Sequence, residues 1–464
     1  MTDETLMRWV IAWLPMLAIL LFSASRKSAS AGLVFAYALQ LVILHWFAAV
    51  IYLLPWYSNL DLNVVFAGLQ QSTYAFGGFT LGSVAIGPLL MRHRDAESDP
   101  SGAVLADRGL IRTCLGMGIV SYFVLTPILG TTPTLSAIVA AAASGVVVGL
   151  ALGCWNGSHT RSGATLWMWG AATTVAPFVT IAVQGFLGYG LAAALIVFTF
   201  VASYHRPRWK VLVFGVAAGY LGLSVYVTYM RDRDDIRQVV WGGESAKARL
   251  ARLADTFSTP EGFSIWDAEH LQRIDVRLNQ NYLVGASVLY LQARPDLFAH
   301  GETVFDAILA PIPRILWPTK PMVAGSGDLV SRFTGMSFAE GTAVGIGQVM
   351  ELYVNFGGLG VFLGFIVVGA ALGFVDRNAA CCRDRGDWST FLLWFFPGIS
   401  VLQVGGSLVE VTSSAAAALV VALLVVRSRT APHQRLGSQI AMRGQAARLL
   451  RSRVSVSTSI APEP

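Results

Sequence analysis

Gln348, Glu351 and Asn355 stand at i, i+3 and i+7 in the apolar run 345–375, so a helix through that run carries them as one polar stripe. An ionisable group inside a span is costly and by default implies a partner or a function. Glu351 is therefore either neutralised by an arginine for packing or placed for chemistry. Upstream, Ala310-Pro-Ile-Pro-Arg-Ile-Leu-Trp-Pro-Thr-Lys-Pro321 sets four prolines around Arg314 and Lys320. Proline fixes φ and disfavours helix in the residue before it, so a stiff, extended path that holds both cations in place is expected. Ile315, Leu316 and Trp317 would anchor that path at the headgroup level. Its cations either snorkel to lipid phosphates or serve a site. Arg273, Asp275 and Arg277 in Gln272-Arg-Ile-Asp-Val-Arg277, and Arg332 further on, are the other charged candidates.

Other familiar chemistries have no signature. The sequence has no P-loop, no His/Cys cluster at metal-ligand spacing, no Gly-x-Ser-x-Gly and no Gly-x-Gly-x-x-Gly after a strand, so no metal or cofactor is expected. His45 and His270 are isolated and read as satisfied structural groups. Gln40, Gln70 and Gln71 are expected to bond between helices. Asp61 and Glu410 fall at helix ends, where they would cap or line a cavity.

The elements that must position these residues are membrane spans. Of 464 residues, 55% are hydrophobic and only 13% charged, with a mean hydropathy of +0.59, whereas about a quarter of an average soluble domain is charged. The fold class is all-α, a polytopic transmembrane helix bundle. Apolar runs fall near 6–23, 31–54, 62–91, 109–128, 134–154, 166–187, 189–204, 209–229, 345–375, 389–404 and 408–426, about eleven spans. Asp3 and Glu4 precede the first run and Arg26 and Lys27 follow it, the reverse of a secretory signal, so it reads as a retained anchor. Arg26/Lys27, Arg92/Arg94/Arg108, Arg161, Arg206/Arg208/Lys210 and Arg377/Arg383/Arg385 alternate with turns that lack Lys and Arg. The positive-inside rule makes the charged set cytoplasmic, the N-terminus external and the C-terminus cytoplasmic. The net charge of +6 thus arises from topology and tail, and no nucleic-acid partner is expected. Cys114 and Cys154 fall in spans and Cys381 and Cys382 in a cytoplasmic turn, so no structural disulfide is implied.

Four regions follow: an N-terminal bundle over 1–229, a polar external loop over 230–344, C-terminal spans over 345–426, and a basic tail over 427–464 that reads as disordered. In the loop, Ala246, Leu250, Leu253, Ala254 and Phe257 recur at helical spacing opposite Lys247, Arg249 and Arg252, which predicts an amphipathic helix on the bilayer surface. Tyr282 to Leu291 is too short to span and predicts a helix packed under the loop. Residues 345–375 would make a helix of about 46 Å against a core of about 30 Å, so it must project, tilt or break. Asn355-Phe-Gly-Gly-Leu-Gly360 is the expected break, and Gly360/Gly364 and Gly369/Gly373 offer faces for close helix packing.

Arg273-Ile-Asp, Gly301-Glu-Thr, Ile312-Pro-Arg-Ile-Leu-Trp-Pro-Thr-Lys-Pro321 and Gly347-Gln-Val-Met-Glu-Leu-Tyr-Val-Asn-Phe-Gly-Gly-Leu-Gly360 together resemble the Wzy-like bacterial oligosaccharide repeat-unit polymerases, which make O-antigen and exopolysaccharide. The resemblance covers roughly residues 270–375; Gln-Val-Met separates Gly347 from Glu351, a wider gap than the family pattern. It implies an inner-membrane glycosyltransferase that moves a glycan from undecaprenyl diphosphate to a lipid-linked repeat unit. Arg273, Arg314, Lys320 and Arg332 would then clamp the leaving diphosphate, arginine being suited to a bidentate grip on phosphate. Glu351, or else Glu340, would be the base for the acceptor hydroxyl, and Gln348 and Asn355 would orient sugar or phosphate oxygens. Implied partners are membrane lipids, the undecaprenyl-diphosphate-linked oligosaccharide and other assembly proteins such as a flippase or chain-length regulator. An O-antigen ligase would use the same chemistry on another acceptor. A flippase or exporter would show inverted repeats and midplane charges, and a mere anchor would leave Glu351 without a role.

Overall fold

The computed structural model describes residues 3–25, 30–91, 104–130, 135–160, 163–205, 208–313, 316–317, 319, 325–338 and 344–429. Among them the chain is all-helical, with no strand. Each of the eleven apolar runs is a helix. Eight are long and apolar enough to cross a bilayer: Glu4–Ser23, Leu33–Leu53, Arg108–Leu129, Leu135–His159, Gly163–Gln184, Arg208–Arg231, Gln348–Asp384 and Leu408–Arg429. Gly188–Tyr204 and Trp388–Val401 are shorter apolar helices. Outward faces are apolar too, as a lipid solvent requires: Leu212, Val213, Phe214, Val216 and Leu221 of the Arg208–Arg231 helix are all exposed. This is a multi-pass membrane bundle.

The remaining run, Leu62–Leu81 continued through Gly82–Ile86 and Gly87–Leu89, is the packing centre. It is less apolar because other helices, rather than lipid, surround it. Gln71, Ser72, Thr73, Thr80 and Ser83 are all buried there, and Thr73 accepts a 2.8 Å bond from Trp13 Nε1. Glycines set how near its neighbours come. A methyl group on Gly285 would sit 1.7 Å from the Val64 carbonyl oxygen, and one on Gly68 2.0 Å from that of Asn281. On the other side Gly78 and Gly82 lie against Phe362 and Ile366, while Gly369 and Gly373 lie against Phe79 and Ser83. The Gly369/Gly373 face is thus used as the sequence suggests.

The long helix Gln348–Asp384 breaks at Gly357, whose φ of 67° and ψ of −166° suit glycine. Leu352 meets Gly364 across the break. Residues twelve apart would be about 18 Å apart in a straight helix, so the first turns fold back on the rest. At the far end, Asp376 accepts from Ala31 and Leu33 amides and the Ser30 hydroxyl. That carboxylate fixes the start of the Leu33 helix.

Residues 230–344 contain the helices Arg233–Trp241, Ala246–Ser258, Ala268–Leu278, Gln280–Ala293, Glu302–Leu309 and Ser326–Thr334. The helix expected from Tyr282 to Leu291 is present and lies deep, its Gly285 against Val64. The expected amphipathic helix is present as Ala246–Ser258 and also touches the protein along one edge. Its Leu253 is buried, its Phe257 packs edge-on against Phe178, and Arg252 pairs with Asp235 and Asp255. Ala246, Leu250 and Ala254 of the same stripe are exposed, so protein covers only part of its apolar side. The basic tail after Arg429 lies outside the described residues.

Candidate functional site

Two helix starts meet at one end of the bundle. Gln348 N–H donates to Val404 O at 3.0 Å, its side-chain Nε2 donates to Gln403 O at 2.9 Å, and Tyr37 OH donates to its Oε1 at 2.7 Å. One turn on, Glu351 is 0% exposed, and its Oε2 accepts from the Leu408 amide at 2.6 Å. That amide opens the Leu408–Arg429 helix, where unpaired N–H groups and the helix dipole favour an anion. Oε1 of Glu351 is buried and, among the described residues, makes no hydrogen bond of ordinary geometry, although the Thr303 side chain is near enough to act on the carboxylate. The adjacent amide, Ser407 N–H, donates to Glu410 Oε2 at 2.9 Å while Glu410 N–H donates to Ser407 Oγ at 3.2 Å, a reciprocal capping box. Two carboxylates therefore grip consecutive amides of one helix start, the inner one with an oxygen to spare.

Asn355 ties this centre to the outer helices. Its Oδ1 accepts from Gly301 N–H at 2.9 Å, and its Nδ2 donates to Thr303 Oγ1 and Glu351 O, each at 2.7 Å. Ala299 N–H donates to Val354 O alongside. Protein groups thus occupy the amides of Gln348 and Asn355, which position Glu351 rather than stand open to a ligand. Asp306, on the Glu302–Leu309 helix, and Glu410 are near enough to act on Glu351 electrostatically.

The cations divide. Arg332 makes a two-pronged pair with Glu302, at 3.0 and 2.8 Å, and Glu302 sits between the Gly301 and Thr303 that Asn355 holds. Arg332 thus belongs to the Glu351 neighbourhood. Arg273 does not share it: Glu261 and Glu269 each hold it at 2.6 Å, and it also donates to Val227 O. Doubly neutralised, it ties the Ala268–Leu278 helix to the Arg208–Arg231 helix. Arg314, Lys320 and Glu340 lie outside the described residues. The elbow corrects one expectation, because Leu316 and Trp317 amides both donate to the Pro313 carbonyl, so the chain turns there rather than running extended. Proline lacks a donor but keeps its acceptor.

The Arg332 pair carries a pH prediction. Its hydrogen bonds hold the Glu302 carboxyl below the ordinary range, against the opposing effect of partial burial. A depressed carboxylate contributes stability above its unfolded value, about pH 4.3, and loses it as pH falls through the folded value. The side chains are 48% and 53% exposed, so the contribution is under about 1 kcal/mol. Thermal melts of wild type and Arg332→Gln should differ slightly above about pH 4.3 and converge once pH falls below the lower, folded value. A gap that persists unchanged in acid would show that the pair contributes nothing.

Other residues named in the sequence have partners that the sequence did not show. Asp275 is 1% exposed and accepts from Tyr52 OH at 2.5 Å, Tyr57 OH at 2.8 Å, Asn59 Nδ2 at 2.9 Å and Asn279 Nδ2 at 2.7 Å. His270 is satisfied by Ser264 N–H and Glu261. His45 bonds Asn281 through Nδ1 while its buried Nε2 has no partner, and Gln40 Nε2 and Gln71 Oε1 are likewise unpartnered, contrary to the expected interhelical bonds. The Ser407-Leu-Val-Glu410 box was readable in the sequence. The chain matches no family model, no curated protein and no solved structure.

Proposed function

We propose that this chain is a bacterial inner-membrane oligosaccharide repeat-unit polymerase, transferring a glycan from undecaprenyl diphosphate to a lipid-linked repeat unit. The observation that carries the reading is Glu351: a fully buried carboxylate with one oxygen fixed by Leu408 N–H and the other without a well-formed hydrogen bond among the described residues. Charge alternation in the short turns supports a periplasmic 230–344 segment, an external N-terminus and a cytoplasmic tail. In the reaction, the acceptor hydroxyl attacks the anomeric carbon of the carried glycan and its proton passes to Glu351 Oε1. The bond from that carbon to the diphosphate oxygen breaks, and undecaprenyl diphosphate leaves with the electron pair. Arg314 and Lys320 meet the charge that develops on it, with Arg332 joining where Glu302 releases it. Arg273, already held by two carboxylates, keeps a structural part.

The test is the purified full-length chain in lipid nanodiscs with an undecaprenyl-diphosphate oligosaccharide. Products longer than one repeat and matching release of undecaprenyl diphosphate are expected. Translocation of the glycolipid with no new glycosidic bond would overturn the reading in favour of transport.

A further inference from the structure

Trp56 and Trp266 form an exposed aromatic pair at the same end of the bundle as Glu351. Their ring centroids are 4.4 Å apart, with planes 30° apart. Trp56 is 38% exposed and Trp266 73%. Both are held from several sides. Tyr52, Tyr57 and Asn59, which bracket Trp56, all bond to buried Asp275. Trp266 N–H donates to Ser264 Oγ, Ser264 N–H donates to His270 Nδ1, and Asp267 caps the helix that follows. The buried Asp275 carboxylate thus fixes the Trp56 loop, and Trp56 Nε1–H, bonded to Ile265 O, joins it to the Trp266 segment.

We propose that the pair is a saccharide-binding platform on which a sugar ring stacks. This rests on the glycan-handling reading above and names a second contact for the glycan, away from Glu351. The π face of an indole is electron-rich, and the C–H face of a pyranose is its complement. Ser58 and Asn59 are exposed beside Trp56, and the Asp267 and Glu269 side chains, 46% and 69% exposed, flank Trp266. These groups accept or donate bonds to sugar hydroxyls. Ile265 is the aliphatic neighbour.

Tryptophans also anchor proteins at bilayer surfaces, but two features set this pair apart. Trp56 Nε1–H donates to Ile265 O at 3.1 Å and so does not reach for headgroups. Glu269 is already paired with Arg273, and the remaining exposed carboxylate, Asp267, repels an anionic lipid surface. The same carboxylate disfavours a phosphate, which points to the sugar part of a glycolipid.

Saturation-transfer NMR on the full-length chain in nanodiscs tests this, with maltotriose, cellotriose, mannotriose and the trimer of N-acetylglucosamine as probes. Transfer to ring C–H protons of at least one trisaccharide is expected. Trp266→Ala should weaken that binding about tenfold or more, and Trp266→Phe should retain it. Absence of transfer for all four probes, or equal transfer in Trp266→Ala, overturns the platform. So does brominated-lipid quenching of tryptophan fluorescence that drops in Trp266→Phe, since the ring then sits in the bilayer. Transfer should persist in Glu351→Gln. If that variant binds trisaccharide yet still grows chains normally, the polymerase site falls while the platform stands; if transfer is absent but chain growth depends on Glu351, only the platform falls.

Discussion

Glu351→Gln is expected to stop chain growth in reconstituted nanodiscs, lowering turnover by about 10²–10⁴-fold while the protein stays folded. The substitution keeps the shape and leaves a carbonyl oxygen to accept from Leu408 N–H, so the start of the Leu408–Arg429 helix remains satisfied. What it removes is the basic second oxygen, which is buried without a well-formed hydrogen bond among the described residues, so little packing is lost. At about 1.4 kcal/mol per tenfold, the expected loss is about 3–5 kcal/mol of transition-state stabilisation. Glu351→Asp draws the carboxylate back by one methylene, breaking the reach to Leu408 and reducing turnover with a measurable loss of stability. Glu410→Gln, on the neighbouring amide and exposed to solvent, should cost little by comparison. The readout is chain length on a gel together with undecaprenyl diphosphate released, at matched abundance and melting temperature. Wild-type chain length in Glu351→Gln would remove this residue from the chemistry.

Glu351 was visible in the sequence because a carboxylate in an apolar run needs a reason, and the break at Gly357 because the run was too long to span as one helix. The Glu269–Arg273 pair is an i, i+4 contact of the kind a helical reading supplies. The partner of Glu351 was not visible. It is a backbone amide 57 residues further on, and an amide has the same chemistry in every residue, so no side-chain pattern marks it. Asp275 was hidden for a related reason: its donors Tyr52, Tyr57 and Asn59 lie more than 200 residues upstream, at |i−j| of 223, 218 and 216. Gln40 and Gln71 show the converse failure. Polar side chains in spans suggest interhelical bonds, yet packing around the Leu62–Leu81 helix leaves Gln40 Nε2 and Gln71 Oε1 without partners. Which polar groups meet is decided by glycine-set helix spacing such as that of Gly68 and Gly285, a property of the assembled bundle.

Asp275→Ala should then be the most destabilising single substitution at this end of the bundle. The side chain carries no arginine partner; hydrogen bonds alone balance its charge, four donors matching the capacity of two carboxylate oxygens. Removing it orphans the Tyr57 hydroxyl and the Asn279 side-chain NH₂, and leaves the Tyr52 hydroxyl, which still accepts from Leu60 N–H, without an acceptor for its proton. At about 1–3 kcal/mol for each buried orphan, the loss is about 3 kcal/mol or more. Asp275→Asn preserves volume but presents an NH₂ to groups that are themselves donors, so it recovers only part. The damage should also travel. Asn279 caps the Gln280–Ala293 helix through Asn281 N–H, and the Gln280 side chain lies between Gly347 and Gly405, where added methyl groups would come within 2.9 and 2.5 Å of it. Those glycines sit in the two segments that lead into the Gln348 and Leu408 helix starts, so loosening Asn279 loosens the grip on Glu351. Thermal unfolding should therefore show a lowered midpoint, and chain growth should fall more in Asp275→Ala than in Tyr52→Phe or Tyr57→Phe, each of which removes one donor and leaves the carboxylate in place. A midpoint indistinguishable from wild type would mean that water replaces the lost acceptor, and that Asp275 does not hold this end of the bundle together.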